Sequence, residues 1–129
     1  MHLGVLEDDE DQQALIELWL GSAGHTSTVA GTVALMLERL KTEHFDALLL
    51  DWMLPDGSGA EVLQWVRQNL GWNKAVVVLT ARDDEATVVQ ALQAGADDFV
   101  VKPPKQAELL ARLAAAARRA SPGGLPVLR

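Results

Sequence analysis

Short unbroken apolar runs alternate along this chain with longer stretches in which apolar residues return every three or four positions. One such stretch, Phe45 to Leu50, runs on through Asp51-Trp52-Met53-Leu54-Pro55-Asp56-Gly57. It has no helical periodicity and closes in a Pro/Gly turn, as a strand buried on both faces of a parallel sheet does. Asp51 therefore stands where the central strand emerges. In open α/β sheets ligands bind outside the carboxyl ends of the strands, which puts this carboxylate in the crevice. The plainer reading of Asp51 is a turn starter, a common use of aspartate.

The same alternation recurs from end to end. His2 to Leu6 predicts a strand that runs into Glu7-Asp8-Asp9-Glu10-Asp11, followed by a helix with Leu15, Leu18 and Trp19 at helical spacing and a stop at Gly21 to Gly24. Thr26 to Val29 predicts a second strand, and Val33, Met36, Leu37 and Leu40 the inward face of a second helix. After the central strand and a turn through Gly57 and Gly59 comes a helix with Val62, Leu63, Val66 and Leu70 toward the sheet, ended by Gly71. Ala75 to Thr80 is another doubly buried strand, this one ending in a hydroxyl. A helix then starts near Asp83 or Asp84, buries Val88, Ala91 and Leu92, and stops at Gly95. Phe99 to Val101 predicts the last strand, ending in Lys102-Pro103-Pro104. The final helix carries Leu109, Leu110 and Leu113 inward, with Arg112, Arg118 and Arg119 toward its carboxyl end. Five such units specify an α/β fold: a doubly wound five-stranded parallel sheet with helices on both faces.

Length and composition narrow this further. The 129 residues make one domain, expected over residues 1–120, and Ser121 to Pro126 has the composition of a linker, so 121–129 reads as a tail toward another domain. No apolar stretch approaches membrane-spanning length, and the amino end turns acidic by Glu7 without a secretion signal, so a cytoplasmic location is expected. The absence of cysteine removes disulfides, thiol catalysis and thiolate metal sites. A net charge of −7 argues against direct nucleic-acid binding. His2, His25 and His44 are scattered along the chain without metal-ligand spacing. Trp19 reads as core, and Trp52, Trp65 and Trp72 as packing or surface residues.

The strand ends bring together Glu7 and Asp8 from the first, Asp51 from the third, Thr80 from the fourth and Lys102 from the fifth. Three crowded carboxylates repel one another unless a cation sits among them. An oxygen-only donor set points to magnesium, which takes one or two carboxylates, keeps several waters and accepts a phosphate oxygen. A lysine opposite can hold other phosphate oxygens, and a threonine hydroxyl can donate to one. Each residue has a plainer reading as well: Lys102 as a solvated lysine, Thr80 as an ordinary strand residue, and the acidic run as a helix start, which is all that is expected of Asp11.

Over residues 2 to 119 the chain resembles the receiver domains of two-component response regulators, which have a flavodoxin-like fold. The resemblance rests on Glu7-Asp8, Leu50-Asp51-Trp52-Met53-Leu54-Pro55-Asp56-Gly57, Thr80-Ala81, Gly95-Ala96-Asp97-Asp98-Phe99 and Lys102-Pro103 in combination. It implies that Asp51 is the phosphoacceptor for a sensor histidine kinase or a small phosphodonor such as acetyl phosphate. It also implies that Glu7, Asp8, Asp51 and the main-chain carbonyl of Met53 hold Mg2+, with Asp8/Asp9 the alternative acidic pair. The domain would then catalyse its own phosphorylation and slow dephosphorylation without turnover on a diffusible product. Thr80 and Phe99 would form the switch, reshaping the surface of the fourth helix, fifth strand and fifth helix. Kinase docking would fall on the first helix, around Gln12 to Trp19, and Met53 and Arg82 would tune loss of the phosphate. The winged-helix transcription-factor branch is the nearest in pattern. That implies a homodimer through the switching surface, with Asp98 and Arg112 paired across it, and DNA contact only through an output domain outside these residues. The chain departs from the family's common pattern at Phe99, where tyrosine is usual in that branch, at Pro104, and at Val88, where a basic partner for Glu108 is expected.

Rival functions fit less well. A haloacid-dehalogenase-like phosphatase needs a second aspartate where Met53 stands. A nucleotide-binding module needs a glycine-rich first turn where Glu7-Asp8-Asp9 stands. A degenerate receiver acting as a phosphorylation-independent interaction module is the remaining alternative.

Overall fold

The computed structural model describes residues 1–71, 73–81 and 85–120. Trp72, Arg82, Asp83, Asp84 and the tail 121–129, with the expectations attached to them, lie outside the described residues. The elements run β1 (His2–Leu6), α1 (Glu10–Ser22), β2 (Thr26–Ala30), α2 (Val33–Thr42) and β3 (Ala47–Asp51). A short hairpin follows, β4 (Met53–Leu54) against β5 (Gly57–Ser58), then α3 (Gly59–Asn69), β6 (Ala75–Thr80), α4 (Glu85–Gln93), β7 (Asp98–Val101) and α5 (Gln106–Ala120).

The main sheet is parallel throughout, in the order β2-β1-β3-β6-β7. The unbroken apolar runs become β3 and β6 at its centre, where every residue from Ala47 to Asp51 and from Ala75 to Thr80 is buried. Because side chains alternate across a strand, Leu48, Leu50, Val76 and Val78 pack under α2 and α3. Ala47, Leu49, Val77 and Leu79 pack on the other face with Ile16, Leu20, Leu109 and Leu113 of α1 and α5. The chain reverses direction across the sheet between β1 and β3, and the crevice opened there is flanked by the ends of those two strands.

Two helix faces differ from the sequence expectation. In α1 the residues turned inward are Ile16 and Leu20, with Trp19 partly buried against them, whereas Leu15 and Leu18 are exposed. Apolar residues on consecutive positions let several stripes satisfy the same period, and the packing beside α5 selects one rotated by a single position. In α4 only Ala91 is buried; Val88 is half-buried, and Leu92 is exposed together with Val89.

The three histidines, apart in sequence, collect at the amino-terminal edge of the sheet, opposite Asp51. His2 Nε2 lies 2.6 Å from Glu43 Oε2, its Nδ1 2.7 Å from Thr26 Oγ1, and its ring stacks on Phe45. His25 Nδ1 faces the amino terminus at 3.0 Å, and His44 Nε2 lies 3.5 Å from Asp46. Among the described residues the only metal-competent group of side chains lies at the other edge.

The connection from α3 through β6 to β7 is fastened by one buried guanidinium. Arg67 donates to the carbonyls of Gly71, Lys74 and Gly95 and to Asp97 Oδ2, which also accepts from the Val76 amide at 2.7 Å. Burial pulls the Arg67 pKa down and the Asp97 carboxylate opposes that pull. Removing the side chain strands several buried acceptors and one carboxylate. We expect Arg67→Ala to lower stability by about 2–4 kcal/mol in urea unfolding, while the exposed Arg118→Ala changes it by less than ~0.5 kcal/mol.

Candidate functional site

The end of β1 delivers Glu7 and Asp8. Glu7 is fully buried, its backbone amide bonded to Ala30 O on β2 and its Oε2 accepting from the Asp9 amide at 3.1 Å. Asp9 serves as the N-cap of α1, accepting from the amides of Asp11 at 2.8 Å and Gln12 at 3.2 Å. That duty occupies one Asp9 oxygen, and Asp9 is not among the carboxylates gathered with Asp51. Asp11 lies in the first helical turn, where a negative charge suits the helix dipole.

Asp51 closes β3, 4% exposed, with its strand held by β1 on one side and β6 on the other. Two further contacts fix the chain as it leaves the strand. The Trp52 amide donates to Leu79 O, and Gly59 N donates to Trp52 O at 3.0 Å. A Cβ on Gly59 would strike the Asp51 carbonyl oxygen, so α3 can approach the strand end only because position 59 is glycine. Sequence reading used Gly59 simply as a turn residue, because close backbone approach has no signature in a single sequence. Asp56 enters the sequence analysis only as part of the motif that follows Asp51. It reaches across to α2, accepting from the Val33 and Ala34 amides at 2.9 and 3.2 Å, which holds its carboxyl below the ordinary range.

Lys102 follows β7, its amide bonded to Thr80 O at 2.7 Å. Its ammonium donates to Asp51 Oδ2 at 2.9 Å and lies at the same distance from Glu7 Oε1, a contact whose alignment leaves that buried oxygen without a hydrogen bond. Burial opposes the lysine charge, but Asp51 and Glu7 outweigh it and hold the Lys102 pKa above its usual value. For Asp51 burial dominates. With the Glu7 charge adding to it, and Lys102 and the Met53 amide opposing, the carboxyl is pushed up to about 6.

Glu7, Asp8 and Asp51 offer oxygens that all lie within 4.8 Å of one another. The donor set is all carboxylate, one oxygen of Glu7 is buried and unbonded, and a single lysine faces more than one negative charge. These residues fit a hard divalent cation of the magnesium type. The geometry thus unites Glu7, Asp8, Asp51 and Lys102. Met53 stands at the rim with its amide on the Asp51 carboxylate and its side chain exposed. Thr80 is buried at the end of β6, next to β3. Phe99 lies on β7 opposite Val78 and packs into the cluster under α2 and α3, so strand alternation puts it on the same sheet face as Thr80.

A family model for the response regulator receiver domain matches residues 4–114. The chain belongs to the receiver domain family. Over 129 residues it is 39% identical to the phosphate regulon transcriptional regulatory protein PhoB of Rhizobium meliloti, covering 98% of this chain and 56% of that protein. It is 44% identical over 121 residues to the transcriptional regulatory protein KdpE of Mycobacterium tuberculosis, covering 92% of this chain and 52% of that one. The receiver thus spans about half the length of these curated relatives. The receiver domain of Francisella response regulator 1452 superposes with a TM-score of 0.85 at 28% identity, covering 93% of this chain and 98% of that one. Thermotoga maritima DrrB, an OmpR/PhoB homologue, gives 0.81 at 30% identity, covering 93% and 54%. The winged-helix branch inferred from the motifs is the branch of these relatives.

Asp98 and Arg112 do meet, but within one chain: Arg112 Nη1 lies 3.0 Å from Asp98 Oδ2, and Nη2 lies 3.2 Å from Glu108 of the same helix. Within the chain Glu108 therefore pairs with Arg112, one helical turn on. A dimer that pairs Asp98 with Arg112 across its interface has to exchange these internal contacts. The family resemblance places the pair between copies, and the internal contact does not decide that arrangement.

The sign of the Asp51 shift makes stability depend on pH. A carboxyl raised from 3.8 to about 6 binds its proton more tightly folded than unfolded, so the metal-free receiver loses stability as pH rises from near 4 through 6. The loss is on the order of 2–3 kcal/mol at neutral pH. Asp51→Asn is expected to melt higher than the parent at pH 7.5 without magnesium, with the gap closing toward pH 4 and in excess MgCl2. A parent that melts as high as the variant under all these conditions would refute the crowding.

Proposed function

We propose that this receiver takes a phosphoryl group onto Asp51 from the phosphohistidine of a sensor histidine kinase, or from a small donor such as acetyl phosphate. The observation that carries the reading is Lys102 Nζ at 2.9 Å from Asp51 Oδ2 beside the Glu7–Asp8 pair. Glu7, Asp8, Asp51 and the main-chain carbonyl of Met53 would hold Mg2+. The ion supplies charge neutralisation for the incoming phosphoryl oxygens. An Asp51 carboxylate oxygen attacks phosphorus in line, the bond from phosphorus to the donor's leaving atom breaks, and an acyl phosphate remains on the protein. Little covalent help is needed for such a loose transition state, so positioning by β3 and Gly59 and the Lys102 charge account for the residues' share. Turnover is confined to the domain's own phosphate.

Thr80 then turns its hydroxyl to a phosphate oxygen, and Phe99 packs into the space released, a charge-driven bias of a two-state element. The surface affected is α4, β7 and α5, through which a homodimer forms on phosphorylation, with Asp98 and Arg112 re-paired between copies. Kinase docking falls on α1. Residues 1–120 form the receiver, 121–129 lead toward an output domain of the winged-helix type that carries the DNA contact, and the protein works in the cytoplasm. No helix among the described residues is long and apolar enough to cross a membrane.

Intact-mass spectrometry after incubation with acetyl phosphate tests the central step. The parent should gain one phosphoryl group only with Mg2+, Asp51→Ala none, and Lys102→Ala should react about 10²-fold more slowly. A folded parent that stays unlabelled is a phosphorylation-independent interaction module instead.

The phosphate should also be long-lived. A thioether accepts hydrogen bonds weakly, so Met53 cannot aim water at phosphorus. Following the loss of the added mass with time checks this, and rapid loss with no phosphatase present overturns it.

A further inference from the structure

Met53 stands apart from the other two methionines. The residue is 69% exposed, the most of any large apolar residue described, whereas Met36 is fully buried and Met1 half-buried against the core. Its backbone is anchored, paired with Ser58 in the β4–β5 hairpin and bonded through its amide to the Asp51 carboxylate. The sulfur is therefore open to solvent at the mouth of the site rather than free to wander from it.

We propose that Met53 is an oxidation-sensitive site and that its sulfoxide shortens the life of the phosphate on Asp51; the second half rests on the phosphoacceptor reading above. With hydrogen peroxide as oxidant, a sulfur lone pair of Met53 attacks one peroxide oxygen, the S–O bond forms and the O–O bond breaks. The departing hydroxide takes the proton of the transferred oxygen and leaves as water. Sulfur loses two electrons and the peroxide gains them. A thiol-dependent methionine sulfoxide reductase reverses the change.

The product replaces an apolar thioether by a neutral, strongly accepting oxygen. At the rim beside Asp51 that oxygen can hold a water by its hydrogen and present it to the phosphorus, the positioning that the thioether lacks. Being uncharged, it does so without the repulsion that another carboxylate would exert on the phosphoryl oxygens. Oxidant exposure thus reads out as faster loss of the signal.

The test treats the full chain with hydrogen peroxide, maps oxidised peptides by mass spectrometry, and then follows loss of phosphate after labelling with acetyl phosphate and Mg2+. Met53 should oxidise well before Met36, and the oxidised parent should lose its phosphate severalfold faster than the untreated parent. Methionine sulfoxide reductase should restore the slow rate. In Met53→Leu the rate should be the same before and after peroxide, and Met53→Gln, a permanent neutral acceptor, should be fast in both. Equal oxidation of Met36 and Met53, or Met53 sulfoxide with an unchanged phosphate lifetime, overturns the proposal. If the untreated parent takes no label at all, the phosphoacceptor reading fails and the lifetime effect with it, while the peptide map still decides the oxidation.

Discussion

One ammonium group, that of Lys102, is shared by two buried carboxylates on two other strands, and the crevice is built around that contact. Glu7 and Asp51 are almost fully shielded from water, and a carboxylate so placed without a cation is several kcal/mol worse than one in solvent. Lys102 reaches both at 2.9 Å only because β1, β3, β6 and β7 end level with one another. That alignment comes from the parallel ladders, from the Lys102 amide on Thr80 O, and from α3 closing on the Asp51 backbone through Gly59. The apolar sandwich on both faces therefore acts on the site indirectly, by holding four strand ends in register.

Much of this was readable in the sequence because its signals are of the strongest kind. Runs such as Ala47 to Leu50 and Ala75 to Leu79 have no polar face at all, so only a doubly covered strand accommodates them, and whatever polar residue ends them lies at the sheet edge. Asp51, Thr80 and Lys102 were found in that way, and their combination with Glu7-Asp8 led to the family. What escaped was set by three-dimensional contacts. The α1 stripe runs through Ile16 and Leu20 and not Leu15 and Leu18, because an adjacent helix chooses among equally apolar faces. Asp9 could be told from Glu7 and Asp8 only by its capping bonds. The histidines, unremarkable by spacing, share one end of the sheet because three strands start there.

The internal Asp98–Arg112 contact bears on how this surface could be used. Exposed ion pairs contribute little, and Arg112 already divides itself between Asp98 and Glu108. Exchanging such a pair between copies therefore has a small net free energy in either direction. For the phosphorylation-dependent dimer proposed above, the internal pair would leave the balance close enough for repacking at Phe99 to decide it.

The site itself is arranged for charge exchange rather than for stability. Without a divalent ion, three carboxylates face one lysine, and Asp51, buried and pressed by the Glu7 charge, rises toward neutrality. In the phosphoacceptor reading proposed above, a cation would relieve the crowding, and a phosphoryl group on Asp51 would then draw Lys102 from the carboxylates it neutralises. Each step changes which group the lysine serves, and the lysine backbone is bonded to Thr80, whose side chain shares a sheet face with Phe99. The proposed coupling from chemistry to surface would need no long path, because the end of β7, the end of β6 and one side of these two neighbouring strands already connect the crevice to the packed ring.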